Sequence, residues 1–111
     1  MTIDNGIACD DGMRTSDPDI FAAGDCASFI HAKLGNRRIR LEAWRSAQDQ
    51  AATAADNMLG GSKQNTAVPW FWSDQYELGL QIAGMADMGL VTVARQANAE
   101  TLVLFHLAED G

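Results

Sequence analysis

Small apolar residues recur at helical spacing in the middle of the chain. They are Ala43, Ala47, Ala51, Ala54, Ala55, Met58 and Leu59. Residues three and four positions apart share one face of a helix, and Gly60-Gly61 is a natural helix end. The pattern predicts a helix from Glu42 to Leu59. Its alanine-rich face would allow a sheet, another helix or a flat ligand to approach closely, although simple close packing is enough to explain it.

The segment before this helix has the pattern of short strands separated by turns. Residues 6–9 and 13–15 are extended runs joined by Asp11-Gly12, a favourable hairpin turn because glycine accepts positive φ. Residues 20–23 form a brief continuous apolar run, which is typical of a strand buried on both faces. This run ends at Gly24.

The pattern changes after a polar linker at residues 62–66, where we place the boundary between two units. The runs beyond it predict strands at residues 68–74, 80–83, 90–94 and 101–107. Val68 precedes a proline, which disfavours helix, and Asn98 falls in the turn between the last two strands. This spacing fits a meander of antiparallel strands.

The last residues, Glu109-Asp110-Gly111, carry the hairpin signal Asp-Gly. No strand follows this turn in the sequence, so we expect an incomplete unit with an unpaired sheet edge. Such an edge can pair with a second copy of the chain. A non-catalytic interaction or dimerisation module, forming a homo-oligomer through this edge, is therefore the alternative function.

Composition and charge limit the possible classes of protein. The 111 residues carry a formal charge of −7, and 47% of them are apolar. A chain of this size has one core, which is too little for separate cofactor and substrate domains, so a complete two-domain enzyme is excluded. The acidic balance argues against nucleic acid as a partner. No apolar run reaches the roughly 18 residues of a membrane span, and the start lacks a signal-peptide pattern, so we expect a cytoplasmic protein without a membrane partner.

The positive charges are concentrated in one short stretch. Five of the eight basic residues fall within residues 33–45, and these are Lys33, Arg37, Arg38, Arg40 and Arg45. A solvated loop with incidental charge is the favoured interpretation. A small docking patch for an acidic partner is the alternative.

Cysteine and histidine chemistry is not indicated. Cys9 and Cys26 are too far apart for a CxxC motif, and we expect both to be small, partly buried residues. The lack of a Cys-x4-Cys pair argues against a disulfide reductase, whose chemistry needs two close thiols. His31 and His106 have no ligand partner at useful spacing. We therefore assign no metal site and no catalytic residue.

Residues 14–27 are the strongest candidate for a ligand site, and they contain the string TSDPDIFAAGD at residues 15–25. Small residues at the end of a strand let the backbone approach a bulky ligand, and a carboxylate after glycine can accept hydrogen bonds from ligand hydroxyls. The full string resembles the second flavin-binding motif of the FAD-dependent pyridine-nucleotide oxidoreductases, of the form T-S-x-P-x-I-[FY]-A-x-G-D. The resemblance implies that Asp25 binds the ribityl chain of FAD and that Gly24 allows the approach.

Two further strings narrow this resemblance. Residues 40–47 (RLEAWRSA) and 68–76 (VPWFWSDQY) are similar to the ferredoxin reductases of bacterial oxygenase systems. Those enzymes pass electrons from NADH or NADPH through FAD to a [2Fe-2S] ferredoxin. The resemblance implies an α+β chain that is incomplete at both ends. Residues 1–62 would be the end of an FAD-binding α/β domain with the long helix, and residues 63–111 a truncated reductase C-terminal domain, an antiparallel sheet with helix.

The same resemblance places the backbone of Glu42, Ala43 and Trp44 beside the flavin ring. A helix start there offers free N–H groups and a positive dipole end to an electron-rich oxygen. Trp72 would lie near the flavin and the ferredoxin-facing surface, shielding the ring or lying along the electron path, or would simply pack in the core. For Trp70 and Phe71, core packing is the favoured interpretation.

The chain lacks a G-x-G-x-x-G turn in a strand-to-helix setting. Such a turn holds the ADP half of FAD or a nicotinamide cofactor, so neither that half-site nor the NAD(P)H site is expected in these residues. We therefore expect this chain alone to hold FAD weakly or not at all, and to be inactive.

Overall fold

A computed structural model describes residues 1–109 and has an α+β architecture, as the sequence predicts. Its strands and helix are β1 (Ile7–Cys9), β2 (Ala27–His31), β3 (Arg37–Arg40), α1 (Trp44–Met58), β4 (Trp70–Gln75), β5 (Leu78–Ala83), β6 (Val91–Gln96) and β7 (Leu102–Leu107). Short 3-10 helices cover Ala32–Leu34 and Ala86–Met88. Among these residues, no helix has both the length and the apolar character needed to cross a membrane.

The first sheet organises the hydrophobic core. Its strand order is β1-β2-β3, with β1 and β2 parallel and β2 and β3 antiparallel. In this register Cys9, Phe29 and Ile39 are direct neighbours across the three strands, and all are buried. Met13, in the turn after β1, and Ala54, in α1, belong to the same cluster. The core therefore joins the sheet, the turn after β1 and the helix.

The predicted turn at Asp11-Gly12 is confirmed, but the hairpin is wrong. The Asp10 carboxylate accepts hydrogen bonds from the N–H groups of Gly12 and Arg14, both at 2.9 Å. These bonds stabilise the turn locally. β1 nevertheless pairs with β2, far beyond the turn, rather than with the residues that directly follow it.

The predicted buried strand at residues 20–23 is also wrong. In the described chain this segment makes one isolated bridge, between Phe21 and Arg14, and Ile20 is 40% exposed. The strand that is covered on both faces is β2, which comes next. Ser28 and His31 interrupt its apolar pattern, and both are buried there. A hydropathy pattern alone therefore selects the wrong segment.

The basic stretch contains β3 and is not the solvated loop that we predict from its charge. Arg38 donates to the carbonyl oxygens of Cys9 (3.1 Å) and Ser28 (2.6 Å). Arg37 forms an ion pair with Asp87 at 2.8 Å. Arg38 thus binds the backbone of β1 and β2, and Arg37 binds the 3-10 helix at Ala86–Met88.

The helix lies within two residues of its predicted bounds, but it buries a different face. Ala51 and Ala55 are exposed. The buried residues are Ser46, Gln50, Thr53, Ala54 and Asn57. The Asn57 carboxamide donates to the carbonyl oxygens of Gly12 and Lys63, both at 2.8 Å. Because α1 packs against loops whose backbone groups need partners, hydrogen-bonding side chains are buried in place of alanine.

The two cysteines have different environments, so the expectation that both are partly buried is wrong. Cys9 is buried and Cys26 is exposed, and both are free thiols. Burial raises the pKa of the Cys9 thiol. Cys9 is therefore an unreactive core residue at neutral pH.

Two hairpins occupy the C-terminal half in place of one meander. β4 pairs antiparallel with β5, and β6 with β7, in separate two-stranded sheets. The four strands lie within two residues of their predicted positions, and Asn98 lies in the β6–β7 connection as predicted. Trp70 and Phe71 are each 41% exposed, so the prediction of core packing is wrong. The hairpin signal at Asp110-Gly111 lies outside the described residues.

The linker at residues 62–66 has a fixed path along the first unit. The Asn65 amide donates to the Asp11 carbonyl at 2.8 Å, and Asn65 is buried. Just after the linker, the His31 ring Nε2 lies 2.9 Å from the Ala67 carbonyl oxygen and donates to it. The linker segment is therefore held against the first unit by hydrogen bonds.

Candidate functional site

The Gly24-Asp25 turn leads into β2 and lies against α1. Gly24 has a φ of +83°, in the left-handed region that other residues rarely adopt. A Cβ at this position would meet Ala47 at an ordinary contact distance of 3.7 Å. The Gly24 amide donates to the carboxamide oxygen of Gln50 at 2.7 Å. The backbone conformation, more than the available space, therefore requires glycine.

The Asp25 carboxylate has no protein partner in the part of the chain that the structure describes. It is exposed, and within residues 1–109 it forms no ion pair or hydrogen bond. The Asp25 carbonyl oxygen, in contrast, accepts a hydrogen bond from Arg40 at 3.0 Å. Arg40 also forms an ion pair with Glu42. One arginine thus ties the turn to the residues before α1 and leaves the Asp25 carboxylate available to a ligand.

The helix α1 begins without a side-chain cap. Ala43 occupies the N-cap position with extended backbone, at φ −142° and ψ 131°, and its methyl group cannot accept hydrogen bonds from the first N–H groups. The first turn contains no acidic residue. The positive end of the helix dipole is therefore not offset by a side chain of that turn. An electron-rich ligand oxygen would be stabilised at this position.

Two tryptophans connect the helix start to β4. The ring centroids of Trp44 and Trp72 are 5.8 Å apart, and their planes meet edge to face at 87°. Trp44 is 66% exposed and Trp72 is 41% exposed. An open groove of about 380 Å³ lies beside them. Its lining consists of Trp44, Arg45, Asp49, Ala67, Val68, Trp70 and Trp72.

Contacts connect the predicted site residues at the surface of the chain. The predicted residues are Gly24, Asp25, Glu42, Ala43, Trp44 and Trp72. Arg40 joins the turn to Glu42, and the aromatic contact joins Trp44 to Trp72. Residues that are far apart in sequence thus meet around the start of α1.

Sequence reasoning missed Arg40 and Gln50. Their contacts with the turn span 15 and 26 positions of sequence, respectively, so no local spacing indicates them. Arg40 does open the string at residues 40–47 that carries the family resemblance. Gln50 gives no such signal, because it is a polar residue within a helix and would ordinarily be placed on the solvent face.

The histidines lie outside this surface. His31 is buried beside Phe29, with 5.9 Å between ring centroids. His106 Nδ1 lies 3.1 Å from the Thr92 hydroxyl on the β6–β7 hairpin. In the part of the chain that the structure describes, no three His, Cys, Asp or Glu side chains are arranged to hold a metal ion.

Two protein-family models match the sequence. Residues 1–51 match the pyridine nucleotide-disulphide oxidoreductase family, and residues 70–111 match the reductase C-terminal family. The first half of the chain is therefore similar to the pyridine nucleotide-disulphide oxidoreductases, and its last part is similar to the reductase C-terminal family.

Two curated reductases are similar to the chain. It is 42% identical to the ferredoxin–NAD(+) reductase component of the anthranilate 1,2-dioxygenase system of Burkholderia cepacia, over all of this chain and 27% of that protein. It is 45% identical to the putidaredoxin reductase of Pseudomonas putida, over 78% of this chain and 20% of that protein. These likenesses confirm the resemblance that residues 15–25, 40–47 and 68–76 predict.

Solved structures agree with this assignment. The putidaredoxin reductase in its covalent complex with putidaredoxin superposes with a TM-score of 0.86 and 40% identity, over 98% of this chain and 26% of that chain. A ferredoxin reductase for the CYP199A2 system of Rhodopseudomonas palustris gives a TM-score of 0.84 and 37% identity, over 94% of this chain and 26% of that chain. The chain thus spans about a quarter of the length of these reductases.

Proposed function

We propose that the chain is the C-terminal part of an FAD-dependent NAD(P)H:ferredoxin oxidoreductase, which passes electrons from a nicotinamide through FAD to a [2Fe-2S] ferredoxin. We call this longer protein the complete reductase. The observation that carries the proposal is that contacts connect three features of this surface, namely the Gly24-Asp25 turn, the uncapped start of α1 and the Trp44–Trp72 pair. The named partner of the putidaredoxin reductase supports a ferredoxin as the electron acceptor.

The residues at this surface fit FAD. A ribityl chain presents hydroxyl groups, and the Asp25 carboxylate is an exposed acceptor without a protein partner among residues 1–109. The backbone N–H groups at the start of α1, from Ala43 and Trp44 onward, suit the electron-rich O2 edge of a flavin ring. Glu42, which precedes them, is held by Arg40 and stays at the surface.

The chemistry of the complete reductase divides between the cofactor and the protein. FAD, when bound, accepts a hydride from the nicotinamide and returns electrons singly to an iron-sulfur protein. Asp25 binds and orients the sugar-alcohol arm, and the α1 amides stabilise negative charge at the ring edge. Trp72, which is 41% exposed beside Trp44, would shield the ring from water or lie along the path of the electrons to the ferredoxin. The nicotinamide and ADP sites belong to other parts of the complete reductase, so this chain alone is inactive.

We further propose that residues 1–62 close the flavin-binding domain and that residues 63–111 form the reductase C-terminal domain. The separate sheets before and after the linker support this division. The linker residues themselves bind to the first unit through Asn65. The complete reductase would work in the cytoplasm, where its nicotinamide donor and its ferredoxin are present.

The test compares the complete reductase with this chain alone. The purified complete reductase should be yellow, with about one FAD per chain, and should bleach a [2Fe-2S] ferredoxin when NADH or NADPH is added. The 111-residue chain should catalyse no such reduction, even with excess FAD. A complete protein that takes up no flavin, or a chain that reduces ferredoxin unaided, would contradict the proposal.

A second candidate, self-association as an interaction module, is favoured by the apolar surface of the C-terminal hairpins. Val93, Leu104 and Phe105 are exposed on the β6–β7 hairpin, whose two strands form a separate sheet. An exposed sheet edge can pair with a second copy. Sedimentation over a range of concentrations separates the cases, because edge pairing gives a dimer whereas a strict monomer removes this candidate.

A further inference from the structure

The Gly24-Asp25 turn has its backbone held by side chains from two other elements. On one side, the Gly24 N–H donates to Gln50 of α1 at 2.7 Å. On the other side, the Asp25 carbonyl oxygen accepts from Arg40 of β3 at 3.0 Å. The Asp25 carboxylate itself binds no group among residues 1–109. The backbone of the turn is thus held by hydrogen bonds, while the Asp25 carboxylate remains available to a ligand.

Gln50 is oriented for this contact. Its side chain is fully buried, with 0% exposure, in the second turn of α1. A backbone N–H can only donate, so the Gln50 atom that faces Gly24 is its oxygen. The Gln50 nitrogen then donates to the Ser46 hydroxyl at 2.9 Å. Both ends of a buried amide are therefore satisfied, which holds the side chain in a single orientation.

We propose that Gln50 and Arg40 are positioning residues for flavin binding, which fix the left-handed turn at Gly24 so that the Asp25 carboxylate faces the cofactor. This inference rests on the proposed function and deepens it. Neither residue needs to touch the flavin. A left-handed residue followed by an exposed acidic residue would otherwise sample several conformations, and part of the binding free energy would be spent on ordering it.

The first experiment measures the anchoring in the chain itself. Amide hydrogen exchange at Gly24, followed by NMR, should be about tenfold faster in Gln50→Leu than in the wild type, because the acceptor is lost. Gln50→Glu keeps an oxygen at this place and should restore protection. The matched control is Gln48→Leu, an exposed position on the same helix, which should leave the Gly24 exchange unchanged. Equal exchange rates in Gln50→Leu and Gln48→Leu would overturn the anchoring.

The second experiment measures flavin binding in the complete reductase at a temperature where each variant is folded by circular dichroism. The dissociation constant for FAD should rise about tenfold in Gln50→Leu and return toward the wild-type value in Gln50→Glu. Arg40→Met should also weaken FAD binding, whereas Arg37→Met on the same strand should not, because Arg37 pairs with Asp87 away from the turn. An unchanged dissociation constant despite faster Gly24 exchange would overturn the role in flavin binding.

The two experiments also separate this inference from the proposed function. A wild-type complete reductase that binds no FAD would defeat the proposed function and the flavin role together. The exchange rate at Gly24 would still decide whether Gln50 anchors the turn, since that measurement needs no cofactor.

Discussion

Asp25→Ala in the complete reductase is expected to weaken FAD binding by roughly one to two orders of magnitude, the effect of losing hydrogen bonds to a charged acceptor worth about 1.5–3 kcal/mol. The reason is that the Asp25 carboxylate is the exposed acceptor at the turn, without a partner in the described chain. Its removal leaves the ribityl hydroxyls without this partner. Fluorescence titration of the apoprotein with FAD measures the change.

Asp19→Ala is the matched control for this prediction. Asp19 is also exposed and lies within the same motif, at one of its variable positions. It should retain FAD as the wild type does. Asp25→Asn keeps an oxygen acceptor but loses the charge, so it should fall between the wild type and Asp25→Ala. If Asp25→Ala and Asp19→Ala bound FAD equally well, Asp25 would not belong to the site.

Phe29→Ala is expected to lower the free energy of unfolding of the chain by about 3–5 kcal/mol. Phe29 is 1% exposed and is the largest fully buried side chain of the described residues. It lies on the middle strand β2, between its cross-strand neighbours Cys9 on β1 and Ile39 on β3. Its removal leaves a cavity at this centre, and a typical domain has only about 5–15 kcal/mol of stability in total. Urea unfolding followed by circular dichroism measures the difference.

The same substitution by alanine at Phe71 provides the control. Phe71 is 41% exposed on β4, so Phe71→Ala removes a similar side chain from a much less buried place. It should cost less than about 1.5 kcal/mol, since partly exposed aromatic rings bury less apolar area. Equal losses for the two variants would show that the first sheet is not the core of this chain.

The local part of the fold is predictable from the sequence. The helix and the four C-terminal strands have clear periodic patterns, and their bounds differ from the predicted ones by two residues at most. These elements depend on spacing within one segment. The flavin-type motif at residues 15–25 is also readable, because its residues are contiguous.

The long-range part of the fold is not predictable in this way. β1 pairs in parallel with β2 across the turn at Asp11-Gly12, although that turn by itself favours a hairpin. α1 buries Gln50 and Asn57 in place of alanine, because loops elsewhere in the chain need hydrogen-bond partners. Each outcome depends on groups that are distant in sequence. The polar contacts that shape the candidate site are of the same kind.

The central claim is that the Gly24-Asp25 turn and the start of α1 form part of the flavin site. Hydrogen–deuterium exchange of the complete reductase, with and without FAD and read out by mass spectrometry, tests this directly. We expect FAD to protect the peptides that contain residues 22–26 and 42–46, and to leave the β6–β7 hairpin unchanged. Protection confined to other parts of the protein, with both of these segments exchanging as in the apoprotein, would contradict the claim.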